Sequence, residues 1–84
     1  QLMSNKPKYD PNGLYFARVR IRRTAACITG VSNKTPGDLH VDPPEEFDDK
    51  GKPVNPTTFT MADRTPEQVE MLVTRGAIVP IPSS

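Results

Sequence analysis

Ten of the 84 residues are proline, and this limits what the chain can fold into more than any other feature. Proline has no amide N–H to give to a helix interior or a central strand, and its ring collides with the preceding helical turn. A proline share of about 12%, against a usual share of about 5%, assigns much of the chain to turns, loops and extended arms. The remaining material for a core is thin, with 35% of residues hydrophobic, 6% aromatic and no Trp. A chain of this length makes one domain and buries only about 60–65% of the surface its unfolded form exposes. Hydrophobic gain is then nearly cancelled by an ordering cost of about 1.5 kcal/mol per residue. Such a fold is expected to lean on a disulfide, a metal or a partner.

Two of these are set aside by residue counts. Cys27 is the single cysteine, so no intrachain disulfide forms. His40 is the single histidine, and neither a CxxC nor an HxxxH spacing is present to begin a zinc site. That leaves a partner.

Catalytic readings find little to stand on. Cys27 lies in the apolar run Ala25-Ala26-Cys27-Ile28, where a buried, inert thiol is the simpler expectation. One cysteine and one histidine is a pairing that chance supplies, and a nucleophile also needs a base and an electropositive pocket. Glu45 and Glu46 are adjacent in a proline-rich stretch, which cannot hold two carboxylates at a fixed separation away from water. Thr29-Gly30-Val31 is too short for a phosphate-binding loop. The expectation is a chain with no catalytic residues, cofactor, metal or small-molecule substrate. No run approaches the roughly 18 apolar residues of a membrane span, and no signal-peptide pattern opens the chain. It therefore reads as soluble, intracellular in origin and without a membrane partner. Gln1 is not an initiator, so processing, trimming or a longer parent chain is expected.

Periodicity and turn signals organise the chain as α+β: a small unit of short strands with one C-terminal helix, plus a proline-rich arm and loop. Residues 1–13 read as an extended arm closing in a turn at Asp10-Pro11-Asn12-Gly13. A single small domain spans 14–81, with a proline-rich acidic loop over 42–58, and 82–84 form a tail. The clearest strand is 14–23 (LYFARVRIRR), where Ala17, Val19 and Ile21 alternate with Arg18, Arg20 and Arg22. That period of two places the apolar set inward and a row of guanidinium groups outward. Residues 25–31 continue or pair with it, and Gly30 marks a turn or bulge. Thr35-Pro36-Gly37-Asp38 has the chemistry of a type II turn, leading into a short strand at Leu39-His40-Val41. The loop over 42–58 carries no periodicity, and Phe47 is its candidate anchor. Phe59-Thr60-Met61 is another short strand. Thr65-Pro66-Glu67-Gln68 then predicts a capping box with proline at the first helical position and Glu67 at the positive end of the dipole. Val69, Leu72 and Val73 supply one apolar face, read as core, and Gly76 the stop. Ala77-Ile78-Val79-Pro80-Ile81 closes as a strand that Pro80 confines to an edge.

The net charge of +1 hides a separation. Between residues 6 and 34, Lys6, Lys8, Arg18, Arg20, Arg22, Arg23 and Lys34 face Asp10 alone. Between 38 and 50, Asp38, Asp42, Glu45, Glu46, Asp48 and Asp49 face Lys50 alone. Arginines on phosphates would suit a nucleic acid, although apart from Tyr15 and Phe16 no aromatics interleave to stack bases. Complementary contact between subunits is a second use of the same pattern, and a head-to-tail contact of that kind builds rings or lattices. A third is weak pairing inside one molecule across a solvated face.

The order of elements also resembles a family. A basic strand (Val19-Arg20-Ile21) precedes the turn Pro36-Gly37-Asp38. A helix of the form Thr-Pro-Glu-Gln-Val-Glu-Met-Leu-Val follows and runs into Arg75-Gly76-Ala77-Ile78-Val79-Pro80-Ile81. Over roughly residues 17–81 this resembles the small proteins encoded among the head and tail-connector genes of tailed bacteriophages. The insert at 42–58 and the arm are longer than that pattern. The resemblance implies a non-catalytic virion component: capsid-associated, decoration or head–tail connection. Such a protein would be present in many copies among other virion structural proteins, and localised to particles assembled in the host cytoplasm. The residues expected to make protein contacts are Arg18, Arg20 and Arg22 as an electrostatic strip, with Tyr9 and Phe47 as apolar anchors. The alternative is a small nucleic-acid-binding protein using the same three arginines, followed by an adaptor domain that folds alone.

Overall fold

The computed structural model describes residues 9–31, 34 and 37–82. Residues 1–8 of the expected arm, Thr35 and Pro36 of the expected turn, and residues 83 and 84 of the tail lie outside the described residues. In chain order the elements are β1 (Tyr15–Ala17), β2 (Ile21–Thr24), a 3-10 turn (Ala25–Cys27), β3 (Asp38–Val41), β4 (Thr58–Phe59), α1 (Pro66–Thr74) and β5 (Ile78–Pro80). The fold is α+β. A three-stranded antiparallel sheet of order β4-β1-β5 stands beside a two-stranded antiparallel ribbon, β2-β3.

The expected long strand over 14–23 is two strands. Tyr15 and Phe16 are claimed on both sides, Tyr15 facing Phe59 of β4 and Pro80 of β5, while Ala17 faces Ile78 of β5. Residues 21–24 instead pair with β3, which belongs to another sheet. One straight strand cannot serve both partners, so the chain turns a corner at 18–20, where the Arg18 N–H donates to the Ala77 carbonyl at 2.9 Å. Val19, expected inside by the period of two, falls on this corner and is 50% exposed. All three residues of β1 are buried, as befits the central strand of its sheet.

One core cluster joins both sheets and the helix: Tyr15, Ala17, Ile28, Val41, Phe59, Met61, Val69 and Ile78. The turn at 10–13 forms as its sequence predicts, with the Gly13 N–H on the Asp10 carbonyl at 2.9 Å and the Asn12 N–H on Asp10 Oδ1 at 2.9 Å. It is tied to the core by the Tyr15 hydroxyl, which donates to the Asp10 carbonyl at 2.8 Å. Tyr9 packs in part against this chain's own core.

Helix α1 obeys its local signals. Thr65 Oγ1 accepts from the Gln68 N–H at 3.2 Å, and Gln68 Oε1 accepts from the Thr65 N–H at 3.1 Å, the reciprocal bonds of a capping box. At the other end the Ala77 N–H reaches the Leu72 carbonyl and the Gly76 N–H the Val73 carbonyl, each at 3.0 Å. This Schellman closure needs a residue with positive φ, and Gly76 supplies φ 80°. The stop throws the chain directly into β5, at the sheet edge where Pro80 is tolerated.

Candidate interaction surface

The ribbon decides where each arginine points. Its register sets Ile21 against Val41, Arg22 against His40 and Arg23 against Leu39. Alternation then puts Ile21, Arg23, Leu39 and Val41 on the inner face, and Arg22 with His40 on the outer face. Arg20 sits just beyond the ribbon end. Its Nε lies 3.4 Å from Asp42 Oδ1 and its Nη2 3.3 Å from His40 Nδ1, with both charged side chains well exposed. Arg18 is exposed on the corner. The three arginines of the expected strip are thus all at the surface. Arg20 and Arg22 stay together near the ribbon, Arg18 is separated from them by the break, and Arg20 takes partners from the acidic half of its own chain.

The arginine that sequence reasoning passed over is Arg23, which is 2% exposed. Its guanidinium donates to the Thr60 carbonyl at 2.9 Å and to the Asp63 carboxylate, and it lies over the Phe59 ring at 5.9 Å from the centroid. Its buried Nε has no hydrogen-bond partner among the described residues. Both acceptors come from the connection between β4 and α1, where the Arg64 N–H bonds the Met61 carbonyl at 2.9 Å and closes a turn that presents Asp63. Burial pushes the Asp63 carboxyl up, but the hydrogen bond and charge of Arg23, with its own backbone N–H and Arg64, outweigh this and hold it below its ordinary value. The Tyr15 phenol is pushed up by burial, then by the charges of Asp10 and Tyr9.

Where the ribbon meets the helix there is a groove of about 310 Å³. Ile21, Met61, Leu72 and Ile78 give it an apolar floor, and Met71, Gln68, Arg23 and Arg64 complete the lining together with Arg22, which borders the groove although alternation along β2 sets it on the other face of the ribbon from Ile21 and Arg23. Met71 is 47% exposed, so the helix carries the apolar character of the groove out to its rim. Arg22 and Arg64 are both exposed.

The acidic segment is not the structureless loop its composition suggests. Phe47 and Pro53 form an isolated antiparallel bridge, flanked by bonds from the Val54 N–H to the Glu46 carbonyl at 3.0 Å and from the Asp48 N–H to the Lys52 carbonyl at 2.8 Å. Asp48 Oδ1 accepts from the N–H groups of Lys50 and Lys52 at 2.9 and 2.8 Å, and Gly51 turns the chain at φ 82°. The result is a miniature hairpin over 46–54 in which every residue but Pro53 is exposed. Phe47 does not anchor the segment to the core. The hairpin closes on its own backbone bonds and leaves the ring 55% exposed. The alternation of a local signal was readable here only in part, since Asp48 with Gly51 has turn chemistry but proline obscures the strand on either side.

Cys27 is a half-buried free thiol, and its carbonyl accepts from the Thr60 N–H at 2.8 Å. His40 lies on the outer face of the ribbon. Among the described residues no cluster of three His, Cys, Asp or Glu is arranged to hold a metal ion, and no helix is long and apolar enough to cross a membrane. No protein family, no curated protein and no solved structure matches this chain.

Proposed function

We propose that this chain is a non-catalytic structural component of a large assembly, a tailed-phage virion being the assembly its sequence resembles. The observation that carries the reading is the hairpin over 46–54. The chain spends nine residues and a set of well-formed hydrogen bonds on an element that adds no side chain to the core cluster. Its one aromatic ring stays 55% exposed among Glu45, Glu46, Asp48 and Asp49. A large apolar ring held in water by a locally ordered element is understandable as a contact kept ready for another molecule. The thin core suits a protein that gains stability once docked, because binding to the folded state alone raises its stability.

The test is sedimentation of the natively produced chain from a crude lysate at low and high salt, with mass spectrometry of the fractions. The expected result is a very large, salt-resistant particle in which the chain holds a fixed ratio to other proteins. A chain that sediments as a free monomer overturns the assembly reading. Binding to DNA or RNA whose affinity falls steeply as salt rises, and which is lost with Arg18, Arg20 and Arg22, would replace it with the nucleic-acid reading.

A further inference from the structure

We propose that the arginine-rimmed groove between β2 and α1 is the receptor for the Phe47 hairpin of a second copy of this chain, so that copies join head to tail. The inference rests on the assembly reading and names one contact within it.

The chemistry of the two surfaces is complementary. The groove has an apolar floor, including Ile21, Met61 and Leu72, with Arg22 and Arg64 at the surface. The hairpin offers one exposed ring, Phe47, with Glu45, Glu46, Asp48 and Asp49 around it and Lys50 and Lys52 on its turn. A ring entering the groove loses its contact with water while its flanking acids stay at the rim, near Arg22 and Arg64 and still partly hydrated. This avoids dehydrating the charges completely, the step that makes buried ion pairs costly.

The two surfaces are also separate. No residue of the hairpin lines the groove, and the hollow beside the hairpin base, lined by His40 to Glu46 with Val54, Asn55 and Thr57, shares no residue with it. One molecule therefore offers both halves at once. Such a contact is heterologous, and it propagates into a ring or an open chain rather than stopping at a two-fold dimer. A single knob in a single groove falls at the small end of protein interfaces. An isolated pair is therefore expected to be weak, with a Kd between about 10 μM and about 1 mM. In an assembly many such contacts act together, and effective concentration makes up the difference.

The experiment is sedimentation velocity of the purified chain over a concentration series reaching about 1 mM, with two disabled variants. Phe47→Ser removes the knob, and Arg22→Glu with Arg64→Glu reverses the rim. All three positions are exposed, and Met71→Lys is a second groove variant should the double reversal not fold. Circular dichroism checks that each variant keeps the wild-type fold. The wild type is expected to gain mass with concentration, and each variant to weaken self-association at least about tenfold. Mixing the two variants leaves one intact groove and one intact hairpin, so the mixture is expected to form a 1:1 dimer and nothing larger. A wild type that stays monomeric throughout, variants that associate like the wild type, or a mixture that stays monomeric each overturn the proposal. A chain that is monomeric alone yet still sediments in a large particle overturns this contact and leaves the assembly reading standing.

Discussion

Arg23 over the ring of Phe59, and the acids around Phe47, both set charge beside an aromatic side chain, and the molecule resolves them in opposite ways. At Arg23 both partners are inside: the arginine is 2% exposed and Phe59 fully buried. In the hairpin both are outside. The difference lies in who supplies the counter-groups. Dehydrating a charge costs several kcal/mol unless fixed partners replace the water, and the connection between β4 and α1 holds two such partners, the Thr60 carbonyl and Asp63, in place. The hairpin acids have no such scaffold. Asp48 is used on the N–H groups of its own turn, and an element so small cannot shield the other acids from water. They stay in solvent, and the short hairpin keeps Phe47 there with them. One region thus uses charge to hold the fold together, whereas the other leaves charge and ring available to a partner.

The largest effect is expected where this contrast is broken from the inside. Arg23→Ala removes a buried guanidinium that bonds two oxygens and covers a ring, at a cost of about 3–5 kcal/mol. Set against a total of about 4–13 kcal/mol for a domain of this length at 0.05–0.15 kcal/mol per residue, that removes at least about a quarter of the stability, and all of it at the lower end. Urea unfolding followed by circular dichroism measures it. Arg23→Met is expected to lose less, since it refills the volume, removes the unpartnered Nε, and leaves an Asp63 that is 40% exposed and can turn to water. If Arg23→Ala unfolds at the wild-type midpoint, the guanidinium is buried without holding anything, and the two regions are not opposites.

A smaller effect sharpens the same point through pH. Asp63 has its pKa lowered by the folded structure, so the folded protein binds fewer protons there than the unfolded chain does. The stabilisation is complete above the unfolded value of about 3.9 and is lost as pH falls through it and through the lower folded value. Asp63→Asn is expected to cost about 1–2 kcal/mol at neutral pH, the worth of a charged hydrogen bond discounted for exposure. It should also flatten the acid side of the stability curve. A variant whose stability falls between neutral pH and pH 2 as steeply as the wild type's would mean that another carboxylate governs acid unfolding.

What the sequence made legible follows the range of the interactions. The helix was readable to its ends, because Thr65, Pro66, Gln68 and Gly76 each act within one turn of where they stand. The turn at 10–13 and the edge position of Pro80 were readable for the same reason. The corner at 18–20 was not, since nothing local marks it. The alternation of Ala17, Val19 and Ile21 runs straight through, and only the competing claims of β4, β5 and β3 on one segment force the break. Arg23 was half-legible. It shares the parity of Ile21 and so belongs to the inner face, yet a charge inside a small domain is credible only once Thr60 and Asp63, some 40 residues away, are in place. The groove was invisible, being made by elements that meet only in the fold, whereas the acids that match its rim were plain to read.

The smallest expected effect tests the outer region. Phe47→Ser is predicted to change stability by no more than about 0.5 kcal/mol, the usual result at a surface position away from caps and buried networks. The reason is geometric. The ring is more than half exposed, and the bonds that close the hairpin are from backbone N–H groups to the Glu46 and Lys52 carbonyls and the Asp48 side chain, none of which needs an aromatic at position 47. Hydrogen exchange at the Asp48 and Val54 amides should be unchanged along with the thermal midpoint. A loss above about 1 kcal/mol, or faster exchange at those amides, would mean that the ring packs on the hairpin strongly enough to be structural. Phe47 would then be a small satellite of the core rather than a knob, and the contrast with Arg23 would reduce to one of degree. A silent substitution leaves the ring with no structural duty within its own molecule, which is the condition that docking into another copy requires.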